Sequence, residues 1–74
     1  MTNTQWFLDE SECKVKERFT DAKAVLFCGI DECMGELMGY YMVVCGFGVC
    51  YRVVVTSDAI GVSNSLTIKY DMMD

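Results

Sequence analysis

The sequence predicts an α+β fold in which one N-terminal helix packs on a three-stranded antiparallel sheet, in the order α-β-β-β. Three observations favour this fold. Apolar residues recur at helical spacing near the N-terminus, the apolar central stretch 37–56 is rich in Val, Tyr and Phe with glycines at its middle, and the C-terminal segment alternates apolar and polar side chains. A chain of 74 residues predicts a single small domain, 1–74.

The predicted helix spans residues 9–28. Asp9 is a good N-cap, and Glu12 follows three residues later, as in a capping box. Residues 1–8 are expected to be irregular or a short strand that folds back on the core. An alternative is that residues 24–30, AVLFCGI, form a separate strand, because this run has no polar residue and periodicity alone does not decide between helix and strand.

The central stretch predicts a β-hairpin with strands at about 39–46 and 48–57. Its 15 uncharged residues, 37–51, are fewer than the roughly 20 that a membrane-spanning helix needs. A two-residue turn within Gly46-Phe47-Gly48 assigns the side chains to two faces, and a three-residue loop would change that assignment. The predicted core face carries Tyr40, Met42, Val44, Tyr51, Val53 and Val55, and the other face carries Tyr41, Val43, Cys45, Cys50, Arg52, Val54 and Thr56.

The remaining segments are connections and a third strand. Residues 29–38 are expected to connect helix and hairpin, 57–61 to form a loop, 62–70 to form the last strand and 71–74 to be a frayed tail. The predicted buried residues are Trp6, Val15, Phe19, Leu26, Met42, Val44, Tyr51, Val53, Leu66 and Ile68.

Composition narrows the class of protein. A formal net charge of -5 argues against binding nucleic acid or anionic membranes, and it permits binding to a basic protein surface. An apolar fraction of 53% exceeds what one small core hides, so we expect a homodimer or a tight complex with another protein. The N-terminal residues lack the basic and apolar regions of a secretory signal, and the five cysteines are an odd number, which together favour a reducing, cytoplasmic setting.

The cysteines form two C-x₄-C pairs, Cys28 with Cys33 and Cys45 with Cys50, the second across the hairpin tip on one face. Four thiolates suit tetrahedral zinc, so a cysteine-based zinc module is one alternative. The bulky apolar spacers favour free thiols that act as small hydrophobic groups, and we expect no metal and no cofactor. Because the chain has no histidine to activate a thiol, we also expect no enzyme activity.

The candidate partner-binding residues are three clustered acids and three side chains of the mixed sheet face: Asp31, Glu32, Glu36, Tyr41, Val43 and Val54. They predict a non-enzymatic protein-binding module, an inhibitor that blocks a nucleic-acid-handling partner through its basic surface. In size and charge the chain is similar to inhibitors encoded by viruses and plasmids, such as anti-CRISPR proteins, and this likeness covers no specific residues. The other alternative is a structural or regulatory homo-oligomer.

Overall fold

The computed structural model describes residues 4–33, 35–60 and 63–73, and in them one helix lies on one face of a four-stranded antiparallel sheet. The α+β class is confirmed, and the three-stranded sheet is wrong, since the order is α-β-β-β-β. Every strand pairs with its sequence neighbour, so the sheet order is β1-β2-β3-β4. The elements are α1 Thr4–Arg18, β1 Ala24–Cys33, β2 Glu36–Val44, a three-residue loop Gly46–Gly48, β3 Cys50–Ile60 and β4 Ser63–Met73.

The additional strand is β1, which occupies the last five residues of the predicted helix and the first five of the predicted connection. Its residues pair with β2 from Ala24 opposite Val44 to Cys33 opposite Glu36. The backbone N–H of Lys23 donates to the Val44 carbonyl at 2.7 Å, which brings the chain onto the sheet five residues after the helix ends. The alternative of a separate strand over 24–30 is therefore correct. The apolar periodicity of this run fits a helix or a strand, and its pairing with β2 makes it a strand.

Helix α1 begins five residues before the predicted N-cap, so Asp9 lies inside it. Residues 4–8, expected to be irregular or a strand, are helical, and residues 1–3 of that prediction lie outside the described part of the chain. Phe7, Ser11, Val15 and Phe19 follow one another at intervals of four, and all are buried. This stripe faces the sheet. No helix in the described ranges is long and apolar enough to cross a membrane.

The core lies between this stripe and the middle two strands. Among the predicted buried residues, Val15, Phe19 and Val53 are confirmed, whereas Trp6 is 37% exposed and Leu26 is 46% exposed. Tyr51, Leu66 and Ile68 are partly buried and pack against the core. Met42 and Val44 are half-buried on the opposite face of the sheet. The hydrophobic core comprises Phe7, Val15, Phe19, Tyr41, Val43, Cys45, Val53 and Val55.

The loop between β2 and β3 explains why half of the predicted hairpin assignment is wrong. Val44 pairs with Cys50, and the Cys45 N–H donates to the Val49 carbonyl at 2.7 Å, which leaves the three residues Gly46–Gly48 as the loop. An odd loop shifts the register by one residue relative to a two-residue turn and reverses the faces of β2. Tyr41 and Val43 consequently face the helix, and the predicted core residues Tyr40, Met42 and Val44 face away from it.

Strand β4 is longer than predicted at its C-terminal end. It continues to Met73, so residues 71–73 are paired strand and not a frayed tail. Strand β3 likewise runs to Ile60, through most of the predicted loop at 57–61. The predicted strand start at Val62, the loop residue Gly61 and the last residue, Asp74, lie outside the described residues.

Two buried serines provide a matched test of the core. The Ser11 hydroxyl is fully buried beside the Tyr41 hydroxyl and forms no hydrogen bond of good geometry among the described residues, whereas the Ser57 hydroxyl accepts a hydrogen bond from the Leu37 N–H at 3.1 Å. We expect Ser11→Ala to change the free energy of unfolding by less than about 0.5 kcal/mol, since the gain in helix propensity offsets the loss of a weak contact with the Tyr41 hydroxyl. Ser57→Ala is expected to lower it by about 1 kcal/mol, because it leaves an amide unpaired.

Urea denaturation of the two variants beside the wild type gives both values. A loss of stability in Ser11→Ala as large as that in Ser57→Ala would mean that the Ser11 hydroxyl is paired in solution.

Candidate protein-binding surface

One face of the sheet has no covering layer among the described elements, because α1 is their only α-helix and it lies on the other face. We define the uncovered face as the side chains that point away from α1, identified from strand alternation and the register. None of them is buried. They are Ala24, Leu26, Asp31, Cys33, Glu36, Met38, Tyr40, Met42, Val44, Cys50, Arg52, Val54, Thr56, Thr67, Lys69, Asp71 and Met73.

The middle of the uncovered face is apolar. Leu26, on edge strand β1, pairs with Met42, and Tyr40 pairs with Val54 on the neighbouring strand. Met42, Tyr40 and Val54 remain half-buried only because neighbouring side chains on the same face shield one another. Paired tyrosine, methionine and aliphatic side chains of this kind are typical of the centre of a protein interface.

Charged groups on the uncovered face are arranged unevenly. Arg52 and Asp71 are opposite each other on β3 and β4, so their charges compensate across the strands. Asp31 pairs with Met38, and Glu36 pairs with Cys33, at the end of the β1–β2 hairpin. The register rows of these two acids contain no lysine or arginine.

We call Asp31, Glu32 and Glu36 the acidic corner. All three side chains are exposed. Asp31 and Glu36 belong to the uncovered face, whereas Glu32 points to the helix side at the same end of the hairpin. The Asp31 carboxylate accepts a hydrogen bond from the Glu32 N–H at 3.0 Å, which orients it within the corner. A ten-residue strand is about 33 Å long and a 15-residue helix about 22 Å, so the sheet is long enough to extend beyond the helix.

The structure places the predicted binding residues in two groups. Asp31, Glu36 and Val54 lie on the uncovered face, with Glu32 beside them. Tyr41 is 4% exposed and Val43 is fully buried, both beneath α1. Their predicted position on an open sheet face is therefore wrong, and Tyr40 and Met42 take their place there. Tyr40 and Met42 could have been identified only by knowing that the loop between β2 and β3 has three residues. The positions of its glycines do not specify that number.

The other end of the molecule holds a concave site that the sequence did not indicate. We call it the aromatic cavity; its volume is about 500 Å³. The ring of Phe19 lies 5.2 Å from those of Tyr51 and Tyr70, between centroids, and the two tyrosine rings are 5.9 Å apart. The Arg18 guanidinium lies 5.0 Å from the Tyr70 ring centroid and donates a hydrogen bond to its hydroxyl. The rim also includes Asp21, Lys23 and Phe47.

The cysteines do not converge. Cys28 lies at a bulge in β1, and both it and Cys33 are exposed. Cys45 is buried on the helix side and Cys50 lies on the uncovered face, so this pair is not on one face as predicted. Burial raises the pKa of the Cys45 thiol, and Asp21 and Cys50 add to the effect. The described residues contain no group of three or more His, Cys, Asp or Glu side chains arranged to hold a metal ion.

Comparison with known proteins assigns no family to this chain. No protein-family profile, no curated protein and no solved structure matches it.

Proposed function

We propose that this protein is a non-enzymatic protein-binding module that uses the uncovered face and the acidic corner to occupy a basic, nucleic-acid-binding surface of a partner protein. The observation that carries the proposal is the continuity of the two features. Met38 belongs to the apolar part of the face and is the direct cross-strand neighbour of Asp31. An apolar patch beside a patch of single-sign charge is suited to a protein surface that combines both.

The uncovered face is large enough for a specific complex. Four strands spaced by about 4.8 Å and paired over roughly eight residues present about 500 Å² of projected area. Side chains that stand out from the sheet increase the accessible area, and a standard interface buries about 800 Å² on each partner. Tyr40 and Met42 lie on a central strand of this face, where anchor residues of interfaces concentrate.

The acidic corner determines the kind of partner. With a net charge of -5, the chain is repelled by nucleic acid and attracted to the lysine- and arginine-rich surfaces that bind nucleic acid phosphates. A protein that docks there competes with the nucleic acid for the same cations. Such competition makes the module an inhibitor of its partner without any chemical step.

A non-enzymatic role agrees with the chemistry of the described residues. Burial raises the pKa of the Cys45 thiol beside the aromatic cavity, which disfavours the thiolate that a cysteine nucleophile needs. The chain has no histidine to serve as a general base there.

Charge reversal on the uncovered face tests the proposed partner. We expect the double variant Asp31→Lys, Glu36→Lys to bind a partner isolated from the source cell at least about 30-fold more weakly, because like charges at an interface cost several kcal/mol. Affinity should also fall as salt rises from about 0.05 M to 0.5 M, since the Debye length shortens. Calorimetric titration at several salt concentrations, with and without competing nucleic acid, measures both effects.

The matched control is the double variant Glu10→Lys, Glu17→Lys, which makes the same change of charge on exposed positions of α1. It should retain most of the affinity. Equal weakening by both double variants would show that net charge, and not the acidic corner, is responsible. The single variant Glu32→Lys should have a smaller effect than either face substitution, because its side chain points to the helix side.

A further inference from the structure

Phe47 is the most unusual side chain in the described structure. It occupies the middle of the Gly46–Gly48 loop, with a relative exposure of 106%. Its backbone is in the left-handed region, with φ 62° and ψ 28°. A left-handed conformation costs a non-glycine residue roughly 1–2 kcal/mol, and full exposure of a phenyl ring returns no burial energy. The loop thus holds an apolar ring in water at an energetic cost, which makes Phe47 a candidate anchor for a binding partner.

The aromatic cavity lies beside this ring. Phe47 lines it together with Phe19, Tyr51 and Tyr70, of which Phe19 is buried, Tyr51 is half-buried and Tyr70 is 40% exposed. A cavity of about 500 Å³ has room for a phenyl ring and part of the loop that carries it. Gly46 and Gly48 keep the loop that carries Phe47 narrow. An added Cβ at either position would meet no atom within 4 Å, so no other part of the chain obstructs the loop. Aromatic rings in contact favour tilted or edge-to-face arrangements, which the wall offers to an incoming ring.

The exposed Phe47 side chain, which we call the knob, adjoins the aromatic cavity on one surface, so this surface is complementary to itself. A two-fold axis between them brings the knob of each copy to the cavity of the other, as an isologous interface requires. The charges agree with a second copy at this end, because Arg18, Lys23 and Asp21 supply both signs around the cavity. The acidic corner offers only negative charge and would repel a second copy of a chain with net charge -5.

We propose that two copies of the chain form a two-fold dimer in which each Phe47 inserts into the aromatic cavity of the other copy. Burial of the ring in the dimer offsets the cost of the left-handed backbone of Phe47. The uncovered face and the acidic corner take no part in this contact. The dimer can therefore be tested independently of the proposed binding to a basic partner. It would present the uncovered face and acidic corner of both copies at once.

Sedimentation equilibrium over a wide concentration range, up to about 1 mM, tests the dimer. We expect the wild type to dimerise and Phe47→Asn to dimerise at least about 30-fold more weakly, as for loss of a principal anchor. Asparagine tolerates the left-handed backbone, and the Phe47 side chain is fully exposed, so the variant should remain folded by circular dichroism. Asp21→Arg, a change on the cavity rim, should also weaken the dimer, whereas Glu10→Arg, on α1, should not.

A photo-reactive benzoylphenylalanine at position 47 locates the contact. Mixed with isotope-labelled chain, it should cross-link to Phe19, Tyr51 or Tyr70 of the other copy. A wild type that stays monomeric throughout the concentration range would overturn the proposal. So would a dimer unaffected by both Phe47→Asn and Asp21→Arg, or cross-links confined to the uncovered face.

Discussion

Val43→Lys is expected to unfold the protein at 25 °C, whereas Met42→Lys, one residue earlier, leaves it folded. Val43 is fully buried between α1 and the sheet, so a lysine there brings an unpaired ammonium into the core at a cost of several kcal/mol. A domain of this length has about 4–11 kcal/mol of stability in total. Met42 lies on the uncovered face, where a lysine side chain covers its neighbours with its methylenes and keeps its ammonium in water.

Far-UV circular dichroism and urea denaturation of the two variants provide the comparison. The result depends on the register of the β2–β3 hairpin alone, since a two-residue turn exchanges the environments of positions 42 and 43. If Met42→Lys unfolds the chain and Val43→Lys does not, the three-residue loop is wrong. The uncovered face would then carry Tyr41 and Val43.

Phe7→Ala is expected to lower the free energy of unfolding by about 3–5 kcal/mol, and Trp6→Ala by less than about 1 kcal/mol. The Phe7 side chain is fully buried, and it lies directly over Gly39, where an added Cβ would be 3.2 Å from the ring. Alanine removes this contact and leaves a cavity that the sheet backbone does not fill. Trp6 is larger but remains partly exposed on α1, so truncating it removes less buried surface.

Urea midpoints of the two variants, at constant denaturant slope, measure the difference. The comparison tests the start of α1, because an irregular segment that folds back on the core would bury Trp6. A greater loss of stability in Trp6→Ala than in Phe7→Ala would contradict the helix that begins at Thr4.

Local patterns in the sequence were sufficient for the class of fold and for part of the core. Val15 and Phe19 lie on a helical stripe, and Val53 lies in a run of valines that fits a strand, so each was predicted correctly from its neighbours. Strand β1 was predicted only as an alternative to the helix, because Val25 and Leu26 point to opposite faces and both are apolar. Such a run has no alternation, and only its pairing with β2 distinguishes it from a buried helix segment.

The candidate surfaces show the same division between local and non-local information. The acids of the acidic corner are close in sequence, and a hairpin turn keeps them together. The sheet face on which Tyr41 and Val43 lie depends on whether the loop has two or three residues. The pattern Gly-Phe-Gly is compatible with both loop lengths. The aromatic cavity joins Phe19, Tyr51 and Tyr70, whose separation along the chain leaves no local signal.

Parallel affinity capture from a lysate of the source cell, with the wild type, Met42→Lys and Glu17→Lys as baits, tests the proposed function most directly. Met42 is at the centre of the uncovered face, and Glu17 lies on the opposite side of the molecule, on exposed α1. We predict that the wild type and Glu17→Lys retain the same nucleic-acid-binding protein and that folded Met42→Lys does not. Equal recovery by all three baits, or recovery of nothing except the chain itself, would contradict the proposal that this face binds a partner protein.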